Sequence, residues 1–225
     1  MNTAIIVAAG KGKRFSAKKP KQFLEIAGKP IIIHTLRCFE NCSVIDEIIL
    51  VLPAEEIENF RQLAEKFNLK KLVKIVSGGD TRATSVLNGL NAVNSLKTEI
   101  VAVHDGARPL VSNEEITNTI KKAKETGAAC LVAPVNDTIK EISGGKIVRT
   151  VDRTRLRRAL TPQCFRPEIL KRAFAEINFN EAVTDECFLV EKLGIEISVV
   201  EGSARNIKIT HAEDLAIAEI FLDRC

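Results

Sequence analysis

The chain has 225 residues, a formal net charge of +4, 45% hydrophobic and 28% charged residues, a globular composition that excludes a disordered or low-complexity protein. No apolar run approaches the roughly 18–20 residues of a membrane span, and the basic N-terminal cluster follows the first apolar segment, the reverse of a secretory signal, so a cytoplasmic protein is expected. The modest positive charge does not by itself argue for nucleic acid; it agrees with an anionic small-molecule substrate.

In chain order, Val- and Ile-rich runs at Ala4–Val7, Glu47–Leu52, Leu72–Val76, Ile100–Val103, Ala128–Val132 and Ile195–Val200 read as buried strands. Between them, helical spacing recurs at Ile31–Phe39, Ala54–Phe67, Thr81–Val93, Asn113–Thr126, Glu168–Ile177 and Ala212–Leu222. This alternation predicts an α/β fold whose largely parallel sheet is covered on both faces. Ser112 with Glu115 and Thr210 with Glu213 carry the spacing of a capping box at two of the helix starts. One segment breaks the alternation: Thr138–Ile142, Ser143-Gly144-Gly145 and Lys146–Val151 read as a hairpin. A lone two-stranded ribbon is marginal in water, and Ile139, Ile142, Ile147 and Val151 need a cover, so a homodimer built on the ribbon is expected; packing onto its own domain is the competing reading. The length suits one domain, 1–225, with residues 136–153 as a β-arm.

The first strand empties into Ala8-Ala9-Gly10-Lys11-Gly12-Lys13-Arg14, and six basic residues lie between Lys11 and Lys21. Glycines that let backbone approach an anion, beside this much charge, predict a phosphate-binding loop. It is not a Walker A loop, because no hydroxyl residue follows a Gly-Lys pair, nor a full dinucleotide fingerprint, because Phe15 stands at the third glycine position. An ordinary βα turn with a solvated basic rim is the competing reading. Gly78-Gly79-Asp80-Thr81 reads either as a glycine turn with an Asp80 N-cap or, with Ser85, as an edge for a base. His104-Asp105-Gly106-Ala107-Arg108 places a carboxylate and a guanidinium at a strand's C-terminal end. Asp105 suits Mg²⁺, which takes one or two protein carboxylates beside phosphate oxygens, and Arg108 suits a phosphate or a salt bridge with Asp105. His104 is expected to pack at the strand end. Six scattered cysteines and three histidines make no zinc pattern, and the thiols are expected to be reduced.

Taken in order, Ala8-Ala9-Gly10 to Arg14, Pro20-Lys21-Gln22, Gly78-Gly79-Asp80 with Ser85, Val103 to Pro109, Pro134 to Thr138, Val151-Asp152-Arg153, Thr161-Pro162-Gln163, Thr184-Asp185-Glu186 and Asn206 to Thr210 make the chain similar, essentially end to end, to the 2-C-methyl-D-erythritol 4-phosphate cytidylyltransferases of the non-mevalonate isoprenoid pathway. The resemblance implies a Rossmann-like, three-layer nucleotidyltransferase fold with a protruding β-ribbon dimerisation arm. It implies transfer of CMP from CTP to methylerythritol 4-phosphate with Mg²⁺. CTP would meet Ala8, Ala9, Gly10, Gly12, Arg14, Lys21, Gly79, Asp80, Ser85, Asp105, Gly106 and Lys208. The second substrate would meet Asp105, Arg108, Thr138, Arg153 and Thr161, with Thr138 and Arg153 supplied by the partner subunit's ribbon. Arg14, Lys21, Arg153 and Lys208 would be catalytic, and Asp105 would hold the metal. Two positions depart from the family pattern: Gly106 where alanine is usual and Arg157 where tryptophan is usual. A ribitol-5-phosphate cytidylyltransferase is the alternative within the same chemistry. A non-catalytic nucleotide or nucleic-acid binder is the alternative outside it, disfavoured because the chain has no Tyr or Trp for stacking on bases.

Overall fold

The computed structural model describes residues 1–10, 20–176 and 183–222. Gly12 and Arg14 of the expected phosphate loop lie outside these residues. The strands are β1 (Asn2–Val7), β2 (Glu25–Ile26), β3 (Lys29–Pro30), β4 (Glu47–Leu52), β5 (Leu72–Ser77), β6 (Ile100–Asp105), β7 (Ala128–Pro134), β8 (Ile139–Ser143), β9 (Lys146–Val151), β10 (Arg157–Phe165) and β11 (Ser198–Glu201). The helices are α1 (Ile31–Glu40), α2 (Ile57–Glu65), α3 (Arg82–Asn91), α4 (Asn113–Thr126), α5 (Pro167–Glu176), α6 (Glu186–Lys192) and α7 (Glu213–Leu222). Among the described residues, no helix is long and apolar enough to cross a membrane.

Seven strands form one sheet in the order β11-β7-β10-β6-β1-β4-β5, parallel except for β10, which runs against both β6 and β7. β1, β4, β6 and β7 are largely apolar on successive residues because both of their faces are covered. Along β1, Ala4 and Ile6 pack with Ile33, Phe39, Phe60 and Ile120 of α1, α2 and α4, whereas Ile5 packs with Val86, Leu90, Leu170 and Leu189 of α3, α5 and α6. The alternating pleat thus feeds two separate cores and produces three layers. Chain connection reverses between β1 and β6, and at such a switch point the loops leaving the carboxyl ends diverge and leave a crevice.

Several local expectations need correction. The Asp80 reading of the α3 start fails by one residue: Thr81 is the N-cap, in a reciprocal box with Thr84. The box at Ser112 and Glu115 forms, but at the start of α7 it is Asp214, not Glu213, that receives the backbone N–H groups of Thr210 (2.7 Å) and His211 (2.8 Å). The expected helix from Ala54 opens as a 3₁₀ turn, Ala54–Glu56, before α2, and the strand expected from Ile195 begins at Ser198.

The hairpin forms as β8 and β9, a two-stranded sheet of its own with Ile142 opposite Ile147. Gly144 and Gly145 turn it with φ of 55° and 74°, the two positive values that a two-residue turn between twisted strands requires. Ile142, Ile147 and Val148 remain 58–65% exposed. Arg157, one of the two departures, holds Glu201 of β11 at 2.7 Å and donates to the carbonyls of Thr154 and Leu156.

Candidate active site

Three strand ends build the rim. Ala8 continues β1 by donating to Val51 O, Gly78 continues β5 by donating to Leu52 O, and Gly106 continues β6 by donating to Val7 O, each at 2.7–2.8 Å. The approach is close enough to restrict residue type. A Cβ on Gly106 would lie 2.8 Å from Ala8 Cβ and 2.9 Å from Ile32 Cδ1, and one on Gly78 would lie 2.2 Å from Ala9 Cβ. The departure from alanine at 106 therefore suits the local crowding of this chain.

Asp105 is the centre of charge. Its Oδ1 receives Arg82 Nε at 3.0 Å, and its Oδ2 faces Lys208 Nζ at 2.8 Å and Arg108 Nε at 3.6 Å. Burial alone would raise its pKa, but Arg82, Lys208 and Arg108 together hold the carboxyl well below the usual range. Arg82 continues to Glu186 of α6, with Nη1 at 2.6 Å from Oε1 and Nη2 at 3.0 Å from Oε2. Neither partner was evident in the sequence, since residues 82, 105 and 186 share no local motif.

The segment after β11 brings Lys208 in. Ile209 N–H donates to Ala107 O (2.9 Å), Arg108 donates to Asn206 O (2.7 Å), and Asn206 Nδ2 donates to Thr161 O (3.0 Å). Glu115 fixes the same segment from α4 by accepting from Ser203 N–H at 2.7 Å. Lys21 opens a 3₁₀ turn, Lys21–Phe23, and its Nζ donates to Ile209 O at 2.8 Å. Beside it, buried Gln22 donates to Ala8 O at 2.7 Å, tying that turn to the end of β1. Lys21, Lys208, Asp105 and Arg108 are thus gathered around the ends of β1 and β6.

Other expected site residues have more specific placements. Ser85 is buried, accepting from Gly79 N–H at 3.1 Å and donating to Thr81 O at 2.8 Å, while Asp80 is exposed in the bend before α3. Thr161 is buried and accepts from Asp105 N–H at 3.2 Å. The Arg108 carbonyl can only accept, so neutral His104 donates to it from Nε2 at 3.1 Å, and Nδ1 accepts the Thr161 hydroxyl at 3.0 Å. Thr138 and Arg153 are exposed at the base of the ribbon, where Arg153 donates to the Asn136 carbonyl.

Burial pushes the His104 pKa down to about 3 and also lowers that of His34. The His104 ring stays neutral in the fold where the unfolded chain, titrating near 6.5, takes up protons, and His34 acts in the same direction. The His104 contribution is complete above that pH and is lost as pH falls, at up to about 1.4 kcal/mol per pH unit. Urea melts should therefore show a lower midpoint at about pH 5 than at about pH 7.5, and equal midpoints would contradict a buried neutral His104. Cys38, Cys42, Cys130, Cys164 and Cys187 are free thiols, as expected, and Cys225 lies outside the described residues. Among the described residues no three His, Cys, Asp or Glu side chains gather to hold a metal.

The family model for IspD, 2-C-methyl-D-erythritol 4-phosphate cytidylyltransferase, matches residues 2–224. A 2-C-methyl-D-erythritol 4-phosphate cytidylyltransferase from Bacillus velezensis is 44% identical over 97% of this chain and 94% of its own length. The enzyme of that name from Alkaliphilus metalliredigens is 45% identical over 99% and 93%. Among solved structures, a 4-diphosphocytidyl-2C-methyl-D-erythritol synthase from Anaerococcus prevotii superposes with a TM-score of 0.87 at 30% identity, covering 99% of this chain and 96% of that one. The Thermus thermophilus cytidylyltransferase gives 0.80 at 32% identity, covering both chains completely. With a doubly wound sheet, a cationic rim at its switch point and similarity along nearly every residue, the chain belongs to the 2-C-methyl-D-erythritol 4-phosphate cytidylyltransferase family.

Proposed function

We infer that the rim formed by the ends of β1, β5 and β6 is where this chain carries out the family's cytidylyl transfer. CMP passes from CTP to 2-C-methyl-D-erythritol 4-phosphate: the phosphomonoester oxygen forms a bond to the α-phosphorus as the bond to the leaving oxygen breaks, giving 4-diphosphocytidyl-2-C-methyl-D-erythritol and pyrophosphate. The observation that carries the reading is the convergence of Arg82, Arg108 and Lys208 on Asp105, with Lys21 bonded to the Ile209 carbonyl beside Lys208, at the crevice beside Ala8–Gly10.

The attacking phosphate is already largely ionised near neutral pH. No side chain need remove a proton, and His104, neutral and engaged at both nitrogens, is left to hold the turn at Arg108. What the reaction requires is charge. Two anions must be brought together against their repulsion, and negative charge grows on the α-phosphate oxygens and the leaving group. Lys21 and Lys208, with Arg14, are assigned to the triphosphate, as are Ala8, Ala9, Gly10, Gly12 and Gly106. Among the described residues, no atom lies within 4 Å of where a Cβ on Gly10 would stand. Gly79, Asp80 and Ser85 are assigned to the cytosine side, Asp105 to the ribose and metal, and Arg108 and Thr161 to the acceptor phosphate.

Asp105 fits a metal held chiefly by phosphate oxygens, since a lone carboxylate is a common protein share for Mg²⁺. When bound, Mg²⁺ would neutralise phosphate charge and orient the triphosphate. Lys208, the most exposed of Asp105's partners, can exchange its carboxylate contact for a phosphate contact as nucleotide arrives.

The ribbon supports a homodimer. Among the described residues it is hydrogen-bonded to no other sheet, and it leaves Ile142, Ile147 and Val148 exposed. In the dimer, Thr138 and Arg153 reach the acceptor phosphate in the partner's site. The decisive assay supplies CTP and Mg²⁺ with either methylerythritol 4-phosphate or ribitol 5-phosphate and follows pyrophosphate. Release with methylerythritol 4-phosphate alone is expected. Release with ribitol 5-phosphate alone, or with neither, would refute the assignment.

A further inference from the structure

Arg82 stands where helix electrostatics disfavour it. It is the first residue of α3, after the Thr81 cap, so its charge faces the positive end of the helix dipole. Its side chain is mostly buried, with 23% exposure. Stability does not account for the choice either, because a buried ion pair is seldom worth more than well-packed neutral groups in its place.

The geometry is specific. The guanidinium spends two nitrogens on Glu186 and one on Asp105, using the planar fork that lysine lacks. It takes Oδ1 of Asp105 and leaves Oδ2 to Lys208 and Arg108. Glu186 is held rigidly in turn. Its side chain is fully buried, its backbone N–H donates to Gln163 Oε1 at 3.1 Å, and the same oxygen accepts Cys187 N–H at 3.0 Å. Gln163 Nε2 holds Asp185 at 2.9 Å, and Asp185 caps α6 by accepting Phe188 N–H at 2.9 Å. Orientation is therefore handed from β10 to α6, from Glu186 to Arg82, and from Arg82 to one oxygen of Asp105.

We propose that Arg82 and Glu186 form a positioning pair for cytidylyl transfer: Arg82 fixes the Asp105 carboxylate with one oxygen turned to the triphosphate side, and Glu186 keeps the Arg82 charge from swinging onto the phosphates. The pair touches neither substrate. This rests on the assignment of Asp105 to the nucleotide made above. Without Glu186, Arg82 is a free cation beside a polyanion and would trap CTP in an unproductive pose. Without Arg82, Asp105 can rotate toward Lys208 and Arg108 with both oxygens.

Removing one charge alone would strand the other in the interior, so the principal test removes both. In Arg82→Gln/Glu186→Gln the pair becomes two amides that can bond to each other, and the fold should persist by circular dichroism and thermal melting. Steady-state kinetics should show kcat/KM for CTP reduced by about 10- to 100-fold, the scale of a small misplacement of reacting groups, with KM for methylerythritol 4-phosphate unchanged. Arg82→Lys, which keeps the charge but not the fork, should show the same split between the two substrates. In an Asp105→Asn background the double substitution should cost little more, because the carboxylate it orients is gone. Wild-type kinetics in both pair variants, a raised KM for methylerythritol 4-phosphate, or losses that multiply with Asp105→Asn would overturn the proposal. An inactive wild-type protein would instead remove the reading on which it rests.

Discussion

Replacing Lys21 with alanine is expected to lower kcat by about 10² to 10³, the cost typical of losing one preorganised donor to a developing oxyanion. Lys21 is placed for that effect by neighbours that do not depend on its charge. Pro20 caps the turn, Gln22 is buried against Ala8, and Nζ is pointed at Ile209, the residue after Lys208. Its loss removes a cation from the crevice while the turn keeps its own anchor, so thermal stability should change little and kcat should carry the effect. Pyrophosphate release at saturating concentrations of both substrates measures it. A wild-type kcat in Lys21→Ala would take the triphosphate role away from this lysine.

The second large effect concerns the ribbon. Ile142 and Ile147 are opposed in the β8–β9 register, each 65% exposed, and make one apolar face. Ile142→Lys together with Ile147→Lys puts two like charges on that face, directly across from each other, and a surface meeting its own copy by symmetry would face four. Sedimentation should show the wild-type chain as a dimer and the double variant as a monomer. Activity should fall with assembly if Thr138 and Arg153 serve the neighbouring subunit. Hydrogen bonds to a charged group are worth about 1.5–3 kcal/mol each, so losing contacts to the acceptor phosphate should cut kcat/KM for methylerythritol 4-phosphate by about 10² or more. A monomer of full activity would mean that the ribbon serves its own site, and an unchanged dimer would move the interface elsewhere.

The sheet and its helices were legible because burial on both strand faces leaves uninterrupted apolar runs, and because helices between parallel strands need a stretch of amphipathic spacing. What escaped had weaker local signals. β10 reads Arg157-Arg158-Ala159-Leu160-Thr161-Pro162-Gln163-Cys164-Phe165, charged at one end and carrying a proline, which argues against a central strand. The structure accommodates it through a shift of register between Ala159 and Gln163 on the β7 side. α6 has seven residues, too few for its periodicity to stand out. At the site, Asp105, Arg108, Lys21 and Lys208 were visible from residue type and resemblance. Arg82 and Glu186 were not, because their meaning lies in a contact across 104 positions of sequence. Capping signals were ambiguous for a related reason: Asp80 beside Thr81, and Glu213 beside Asp214, offer two similar acceptors, and only the backbone path decides which one turns inward.

The shift of register in β10 also separates a doubly paired segment from the chain that leads into it. Gln163, Cys164 and Phe165 are paired on both sides, to β6 and to β7, and lock the strand into the sheet. The residues from Val135 to Leu156 lie outside the sheet's ladders. An insertion or deletion within that stretch is absorbed before the locked segment and need not displace Thr161 or Asp105. The strands and turn between Thr138 and Arg153 can therefore change in length and surface without moving the switch point, whereas those two residues at the base of the arm tie it to the acceptor phosphate.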